Sequence, residues 1–191
     1  MRILAIADLH WWLPSELDKI ENLDFDICVL CGDFPEMAIQ YIDSLIPDKP
    51  IYGIPGNHDD WNKLERNGIE NIHGKVVDVC GYKIAGFGGS PRYKEVDCPM
   101  FTQREAFRAL NAMPRCDILI SHESAYHLFA KDMPHGGFLG INWYLGMNRV
   151  KLNICGHHHI NAHKRKYHTD IFCVFRCAVV SYPDNTITHI F

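Results

Sequence analysis

Five short motifs in this sequence carry side chains that bind divalent metal ions well: DLH, GD, GNHD, SH and GHHH. The candidate donors among their residues are Asp8, His10, Asp33, Asn57, His58, His122, His157 and His159. Oxygen and imidazole donors suit Mn, Fe, Zn, Co or Ni, and a set without Cys disfavours a structural thiolate zinc site. Without His58 the set still holds seven donors, too many for one tetrahedral ion. They suit two ions about 3.5–4 Å apart that share a carboxylate. Such a pair of ions can lower the pKa of a water molecule and stabilise both the attacking and the leaving oxygen of an in-line displacement at phosphorus.

Each motif follows a short apolar segment that the pattern predicts to be a buried β-strand. The predicted strands cover residues 2–7, 26–31, 50–54, 117–120 and 150–155. Helical patterns at 14–22 and 35–46 separate the first three strands, which favours βαβ units and a parallel sheet. In such sheets the loops at the carboxyl ends of the strands converge and bind ligands. The five motifs are therefore expected to meet at one edge.

The composition is that of an ordinary globular protein, with 191 residues of which 47% are hydrophobic and 22% charged. We expect one domain, residues 1–191. The net charge of −4 argues against nucleic acid or a membrane surface as a partner. The sequence shows no secretory signal pattern, which favours a cytoplasmic protein whose eight cysteines are reduced and mostly buried. Cys28 and Cys31 form a CxxC pair, but on a strand they would face opposite sides, so both are predicted to be core residues.

The five motifs together resemble the calcineurin-like metallophosphoesterase superfamily. Its pattern is DxH, then GD, then GNH followed by Glu or Asp, then a single His, then GHxH. All five blocks are present in this order between residues 8 and 159. The resemblance implies an α/β fold, a four-layer αββα sandwich of two mixed β-sheets flanked by helices.

The resemblance also implies a role for each position. Asp8, His10 and His159 would bind the first metal ion, Asp33 would bridge the two ions, and Asn57, His122 and His157 would complete the second site. His58, together with Asn57, would contact the substrate phosphate, and His58 could protonate the leaving oxygen. Asp33 and His58 are thus the expected catalytic residues. The implied cofactors are two divalent transition-metal ions, with Mn favoured over Fe, Zn, Co or Ni.

Departures from relatives narrow the expected activity. The GDxVDRG form of the phosphoprotein phosphatases is absent, since Phe34 and Pro35 follow Asp33, and the Arg that holds phosphate in those enzymes is missing. The expected function is hydrolysis of phosphodiester bonds by attack of a metal-bridging hydroxide, on a small phosphate ester or a nucleotide, including cyclic nucleotides. The alternatives are a nuclease, a phosphomonoesterase or protein phosphatase, and a non-catalytic scaffold. Size and charge disfavour the nuclease, and the intact donor set disfavours the scaffold.

Several residues outside the donor set have open roles. The segments 88–93 and 126–148 could cover the cleft. Aromatic residues of the second segment are predicted mainly to pack the domain, with stacking on a nucleobase as the alternative; they are Phe129, Phe138, Trp143 and Tyr144. Asp59 and Asp60 are expected to cap the helical segment that begins near Trp61. His158 is expected to be a packing or surface residue.

Overall fold

The computed structural model describes residues 1–129, 132 and 134–191. Its strands are β1 (Arg2–Ala7), β2 (Ile27–Leu30), β3 (Ile51–Gly53), β4 (Glu70–Asn71), β5 (Val76–Val79), β6 (Tyr82–Phe87), β7 (Ser90–Pro91), β8 (Met100–Phe101), β9 (Ile118–Ser121), β10 (Leu152–Cys155), β11 (Ala162–Lys166), β12 (Thr169–Cys173), β13 (Arg176–Ser181) and β14 (Thr186–His189). Its helices are α1 (Pro14–Leu17), α2 (Glu36–Leu45), α3 (Lys63–Arg66), α4 (Gln103–Ala112) and α5 (Leu139–Asn148), and a 3-10 helix covers Asp18–Asn22. A bilayer crossing would require a longer and more apolar helix than any that the described residues form.

Two sheets of six strands each organise the chain, and both are of mixed direction. The first sheet has the order β14-β13-β1-β2-β3-β4, with β1, β2 and β3 parallel to one another. The second has the order β11-β12-β10-β9-β6-β5, with β6, β9, β10 and β12 parallel. The predicted βαβ beginning is confirmed, because the chain passes from β1 to β3 through helical segments on one side of the first sheet.

Three buried apolar clusters show how the layers pack. Side chains from the inner faces of both sheets, such as Ile3 and Ile154, form the middle cluster. A second cluster joins the outer face of the first sheet to α1 and α2, and a third joins the outer face of the second sheet to α4 and α5. The predicted fold class, two mixed sheets between outer helices, is confirmed.

Strands β5 and β6 form a hairpin, and helix α4 follows them after the short strands β7 and β8. Strands β5 and β6 are antiparallel, with Val79 opposite Tyr82. Helix α4 begins after Thr102, whose hydroxyl accepts a hydrogen bond from the backbone N–H of Glu105, while the Glu105 carboxylate accepts one from the backbone N–H of Thr102. This reciprocal capping box satisfies two donors at the helix start.

Helix α5 is an element that the sequence pattern does not predict. It is rich in Gly and aromatic residues and lacks a polar face, because it is buried between α4 and the second sheet. Phe138 and Tyr144 are fully buried and Phe129 nearly so, and the Trp143 ring lies 5.4 Å from that of Phe107. The packing role of these aromatics is therefore supported. Residues 130, 131 and 133 of the segment 126–148 lie outside the described residues.

The cysteines are free thiols, and six of the eight are buried. Cys28 packs in the cluster under the helices, whereas Cys31 packs between the two sheets. The two thiols of the CxxC pair thus face opposite sides of the first sheet, as predicted.

Candidate metal centre

The predicted donors lie in loops that follow five parallel strands. Asp8 follows β1, Asp33 lies in the loop after β2, and Asn57 lies in the loop after β3. On the second sheet, His122 follows β9, and His157 and His159 lie in the loop after β10. The two sheets bring these loops together, and a hydrogen bond from the backbone N–H of His157 to Asp8 Oδ2 (2.8 Å) joins the loops of the two sheets directly.

Asp8, His10 and His159 form the first donor group, called here the open group. One donor atom from each lies within 4.8 Å of the others. His10 Nε2 is 3.3 Å from His159 Nε2, and Asp8 Oδ1 is 3.8 Å from His159 Nε2. Asp8 Oδ1 is buried and has no hydrogen-bond partner among the described residues. A buried carboxylate oxygen without a partner is costly, so its position beside two imidazole nitrogens fits a bound cation.

Asp33, His122 and His157 form the second donor group, called here the buried group, and their donor atoms also lie within 4.8 Å of one another. All three side chains are buried. Asn57 joins them, since its Oδ1 is 3.0 Å from His122 Nε2. The donor set is one carboxylate, one carboxamide oxygen and two imidazoles, which is chemistry that suits a divalent transition metal.

One oxygen of Asp33 lies between the two groups. Asp33 Oδ2 is 3.8 Å from His10 Nε2 of the open group and 3.4 Å from His122 Nε2 of the buried group. The other oxygen, Oδ1, accepts a hydrogen bond from the backbone N–H of His58 (2.8 Å). The carboxylate is therefore held in place by one oxygen while the second remains available to both groups.

Backbone carbonyls fix the orientation of both imidazoles in the buried group. His122 Nδ1 is 2.8 Å from the carbonyl oxygen of Cys31, and His157 Nε2 is 3.2 Å from that of Pro134. A carbonyl accepts only a hydrogen bond, so each of these nitrogens must carry the proton. The nitrogens left to coordinate an ion are therefore His122 Nε2, once it has given up its proton, and His157 Nδ1.

Four of the donor residues adopt the left-handed backbone region. The φ angles are 57° at Asp8, 65° at Asp33, 68° at His157 and 50° at His159. Non-glycine residues adopt positive φ infrequently, and such strained positions cluster at functional sites. The loops after β1, β2 and β10 therefore share a backbone conformation that is maintained by the surrounding contacts.

Two glycines of the motifs are required by close packing in these loops. A Cβ atom on Gly56 would lie 2.0 Å from Asp33 Oδ1, and one on Gly32 would lie 2.6 Å from His122 Nδ1. Gly32 also has a φ of 96°, which side chains rarely allow. The Gly of GD and the Gly of GNHD thus leave the space that Asp33 and His122 occupy.

Burial and mutual charge shift the pKa values of the donors strongly. Burial raises the pKa of Asp8 to about 7, and the neighbouring Asp33 carboxylate adds to the rise. Burial also opposes ionisation of Asp33, but the charge of His122 and its hydrogen bond prevail and lower the pKa of Asp33. For His122, burial disfavours the cation, yet Asp33 outweighs burial and raises the pKa to about 10. Burial, with repulsion from His122, lowers the pKa of His157 to about 3.

His58 lies beside the donors but outside both groups. Its side chain is exposed, and its ring centroid is 5.4 Å from that of His10. It lines an open pocket of about 220 Å³ whose walls are His10, Asp33, Phe34, Pro35, His58, Asp59 and Lys63. His58 thus lies outside both donor groups, and its catalytic role stays a prediction.

The expected helix-capping role is wrong for Asp59. Its side chain is buried and accepts hydrogen bonds from the backbone N–H groups of Asp33 (2.8 Å), Phe34 (3.2 Å) and Gly56 (2.7 Å). It also pairs with Lys63 Nζ at 2.7 Å. Asp59 consequently joins the loops after β2 and β3. Helix α3 instead begins after Asn62, whose backbone N–H donates to Asp60 Oδ1 (3.0 Å).

Glu123 is a buried carboxylate that the sequence pattern does not single out. Its Oε1 is 2.7 Å from His158 Nε2 and accepts a hydrogen bond from the backbone N–H of Ser124. Its Oε2 is 3.6 Å from His157 Nε2. His158 lies outside both donor groups and is buried, as expected of a packing residue, and its ring anchors Glu123 behind His157.

Comparison with known proteins agrees with this site and fold. The model of the calcineurin-like phosphoesterase family matches residues 1–161. An uncharacterised protein of Haemophilus influenzae is 27% identical over 203 residues, which cover 86% of this chain and 87% of that protein. The crystal structure of TT1561 of Thermus thermophilus superposes with a TM-score of 0.71 at 14% identity, covering 100% of this chain and 99% of the other. A structure described as a novel archaeal phosphodiesterase superposes with a TM-score of 0.58 at 14% identity, covering 100% and 99%.

The fold and the two donor groups define the class of a metal-dependent phosphoester hydrolase. The family match extends over most of the chain and includes all five motifs. The chain belongs to the calcineurin-like phosphoesterase family. The resemblance inferred from the motifs is confirmed.

Proposed function

We propose that this protein hydrolyses phosphodiester bonds of small or nucleotide-like substrates with two divalent transition-metal ions, Mn being favoured. The observation that carries the proposal is the position of Asp33 Oδ2 within 4 Å of an imidazole nitrogen in each donor group. A single carboxylate oxygen shared by two sets of nitrogen and oxygen donors is suited to bridge a pair of ions.

Each donor group would hold one ion. Asp8, His10 and His159 would bind the first, and Asn57, His122 and His157 the second, with Asp33 contributing to both. When bound, the two ions would lower the pKa of a water molecule and neutralise charge on the phosphoryl oxygens. The chain holds three of the donors in place before binding, through the carbonyl contacts of His122 and His157 and the contact of Asp33 with the His58 amide.

His58 is the proton donor in this proposal. Its imidazole faces the open pocket beside Asp33, and its backbone amide is fixed by Asp33 Oδ1 (2.8 Å). A phosphate placed at the donor groups would therefore have its leaving oxygen within reach of an exposed imidazole that binds no metal. Positioned proton transfer of this kind contributes about 10²–10⁴-fold in rate.

The charge of the pocket favours a diester over a monoester. Among the described lining residues of the 220 Å³ pocket, Lys63 is the one Lys or Arg. Its ammonium group is already bound to Asp59 (2.7 Å) and to the carbonyl oxygen of Phe34 (2.9 Å). The second negative charge of a monoester would thus have few partners besides the ions, whereas a diester lacks that charge. The phosphodiesterase description of one fold neighbour is in accord with this preference.

The test combines metal analysis with turnover of matched chromogenic substrates. The protein is loaded with Mn²⁺, its metal content is measured, and kcat/KM is compared for bis(p-nitrophenyl) phosphate and p-nitrophenyl phosphate. We expect two ions per chain and a higher kcat/KM for the diester. One ion or none, or a clear monoester preference, would overturn the proposal.

A second assay compares diesters with alkyl and p-nitrophenyl leaving groups and tests His58. His58→Ala should retain both ions and lose about 10²–10⁴-fold in kcat with alkyl leaving groups. The loss should shrink for p-nitrophenolate, which needs little protonation, and the exposed-histidine control His189→Ala should behave as wild type. A loss independent of the leaving-group pKa would show that His58 positions the phosphate instead.

A further inference from the structure

A second cavity is lined largely by the chain segment whose Tyr93 contacts Asn57 of the candidate metal centre. It has a volume of about 650 Å³, and its walls include Trp61, Arg92, Val96, Met100 and Phe101. The short parallel strands β7 and β8, with Ser90 opposite Met100, and the loop between them form most of it. This stretch, residues 90–101, is called here the 90–101 segment. Tyr93 of the segment reaches the metal centre.

The hydroxyl group of Tyr93 contacts a candidate metal ligand directly. The amide Nδ2 of Asn57 donates a hydrogen bond to Tyr93 Oη (3.3 Å), while Asn57 Oδ1 faces His122. Tyr93 Oη is therefore an acceptor in this contact, and its own proton remains available. Among the described residues, no acceptor lies within hydrogen-bond distance of that proton. Tyr93 is 37% exposed, so its side chain is accessible to a ligand.

The lining of the cavity is suited to a flat ring. The rings of Trp61 and Phe101 lie 5.8 Å apart and edge to face, and His73 stacks on Phe101 from behind. Val96 and Met100 add apolar surface. Aromatic and apolar surfaces of this kind bind bases with little dependence on their identity.

The charges in the cavity disfavour an anionic group there. Three carboxylates, those of Glu95, Asp97 and Glu105, line it beside one guanidinium. That guanidinium, Arg92, is bound to Glu105 (3.1 Å) and to the carbonyl oxygen of Met100 (3.3 Å). An uncharged ring with N–H donors, such as a nucleobase, matches these acceptors better than a second phosphate does.

We propose that the 90–101 segment forms the substrate subsite, in which Tyr93 donates a hydrogen bond to the phosphoryl group and the cavity binds the base of a nucleotide ester. The inference rests on the proposed phosphodiesterase function and adds the class of organic group to it. Tyr93 would thus contact the phosphoryl group of every substrate. The cavity would contact only substrates that carry a ring in addition to the leaving group.

The first experiment compares Tyr93→Phe with wild type on two diesters, thymidine 5′-(p-nitrophenyl) phosphate and methyl p-nitrophenyl phosphate. Loss of a hydrogen bond to a charged group should lower kcat/KM about tenfold or more for both substrates. Metal content and metal affinity are measured in parallel. If the loss disappears at saturating Mn²⁺, Tyr93 only orients Asn57, and its proposed contact with phosphate is wrong.

The second experiment blocks the cavity without touching the core. Val96 is 54% exposed, so Val96→Glu should fold normally while adding a carboxylate to the apolar wall. KM for the thymidine diester should rise about tenfold, because a base–aromatic contact contributes on the order of 1–3 kcal/mol. KM for the methyl diester should stay unchanged. Met147→Glu, at an exposed apolar position on α5 (61% exposed), is the matched control.

Calorimetric binding of thymidine 5′-monophosphate and of methyl phosphate to the Mn²⁺-loaded protein separates the two proposals. If nucleotide binding depends on Val96 but neither diester is hydrolysed, the subsite is supported and the phosphodiesterase function fails. If both diesters are hydrolysed and Val96→Glu changes neither KM nor nucleotide binding, the subsite is overturned and the function remains. Protein that neither binds nor hydrolyses these compounds would overturn both.

Discussion

The two donor groups differ in how the protein holds them. In the buried group, all three side chains are buried, and each imidazole is fixed by a backbone carbonyl. In the open group, Asp8 is buried, but His10 is partly exposed and His159 is exposed. The rings of these two histidines pack against each other and against Trp11 and Phe175.

This difference indicates that the fold orients the buried group before binding, whereas the open group is oriented by the ion that it binds. An imidazole whose second nitrogen is hydrogen-bonded has a defined tautomer and orientation before the metal arrives. Among the described residues, neither His10 nor His159 has a backbone carbonyl partner of this kind. We therefore expect the buried group to bind its ion more tightly than the open group, with Asp33 coupling the two.

The largest expected effect comes from breaking that coupling. Asp33→Asn retains the shape of the side chain but removes the charge that both ions would share. Both ions should be lost from gel-filtered protein, and kcat/KM for bis(p-nitrophenyl) phosphate should fall by at least about 10³-fold. Metal analysis and kinetics on the same sample provide the check. Two retained ions with near-normal turnover would refute the bridging role.

The next effect compares one histidine from each group. His122→Ala should weaken the tighter of the two Mn²⁺ binding steps by more than about 100-fold, since even outer-shell changes cost 10–100-fold. His10→Ala should weaken only the looser step, and millimolar Mn²⁺ should restore part of its activity. Titration with Mn²⁺ measures both steps, and circular dichroism confirms the fold of each variant. Equal losses in the two variants would remove the distinction between the groups.

A smaller effect is expected behind the buried group. Glu123 Oε2 lies 3.6 Å from His157 Nε2, so the carboxylate supports the orientation of that ring. Glu123→Gln should weaken the tighter ion about 10–100-fold and leave the looser one unchanged. Glu70→Gln, at an exposed position on β4, is the control for loss of one negative charge. An unchanged metal affinity would mean that Pro134 alone orients His157.

The smallest expected effect is a difference of about one proton, between pH 6 and pH 8, in the number of protons released when the metal ions bind. Because the pKa of His122 is raised to about 10, its cation must lose a proton to bind an ion at either pH 6 or pH 8. The pKa of Asp8 is about 7, so Asp8 is mostly ionised at pH 8 and mostly protonated at pH 6. Full loading should therefore release about one proton at pH 8 and about two at pH 6. Calorimetry in buffers of different ionisation enthalpy measures the release.

The additional proton at pH 6 belongs to the open group and should be absent in Asp8→Asn. If that variant releases as many protons as wild type at pH 6, another group carries the shift. Equal proton release at pH 6 and pH 8 in the wild type would contradict the raised pKa of Asp8.

The sheets and the convergence of the donors could be predicted because their signals are local. Each strand is a short apolar run and each donor follows one, so strand geometry alone brings Asp8, Asp33 and Asn57 to one edge of the first sheet. Local patterns do not show that the strands before His122 and His157 belong to a second sheet. That assignment came from the family resemblance.

The residues that were missed act through contacts distant in sequence. Two consecutive Asp residues before a helical segment look the same whether they cap it or turn inward, and only the contact of Asp59 with Asp33 distinguishes the cases. Glu123 lies 35 residues from His158, its partner. Tyr93 and Asn57 are separated by 36 residues. Helix α5 is not predicted because its exposed positions include the apolar residues Leu139 and Met147, so the alternation of polar and apolar faces that marks a surface helix is missing.

The left-handed backbone at Asp8, Asp33, His157 and His159 limits how this centre can change by mutation. Asn, Asp and His are the non-glycine residues that most readily tolerate positive φ, and they are also the residues that supply its donors. A substitution at these positions must satisfy the backbone and the metal at once, so Asp→Glu is not conservative here even where the longer carboxylate could reach. Few substitutions at these positions would therefore retain the metal donors. A change of substrate specificity is more accessible through segments such as 90–101 than through the ligands themselves.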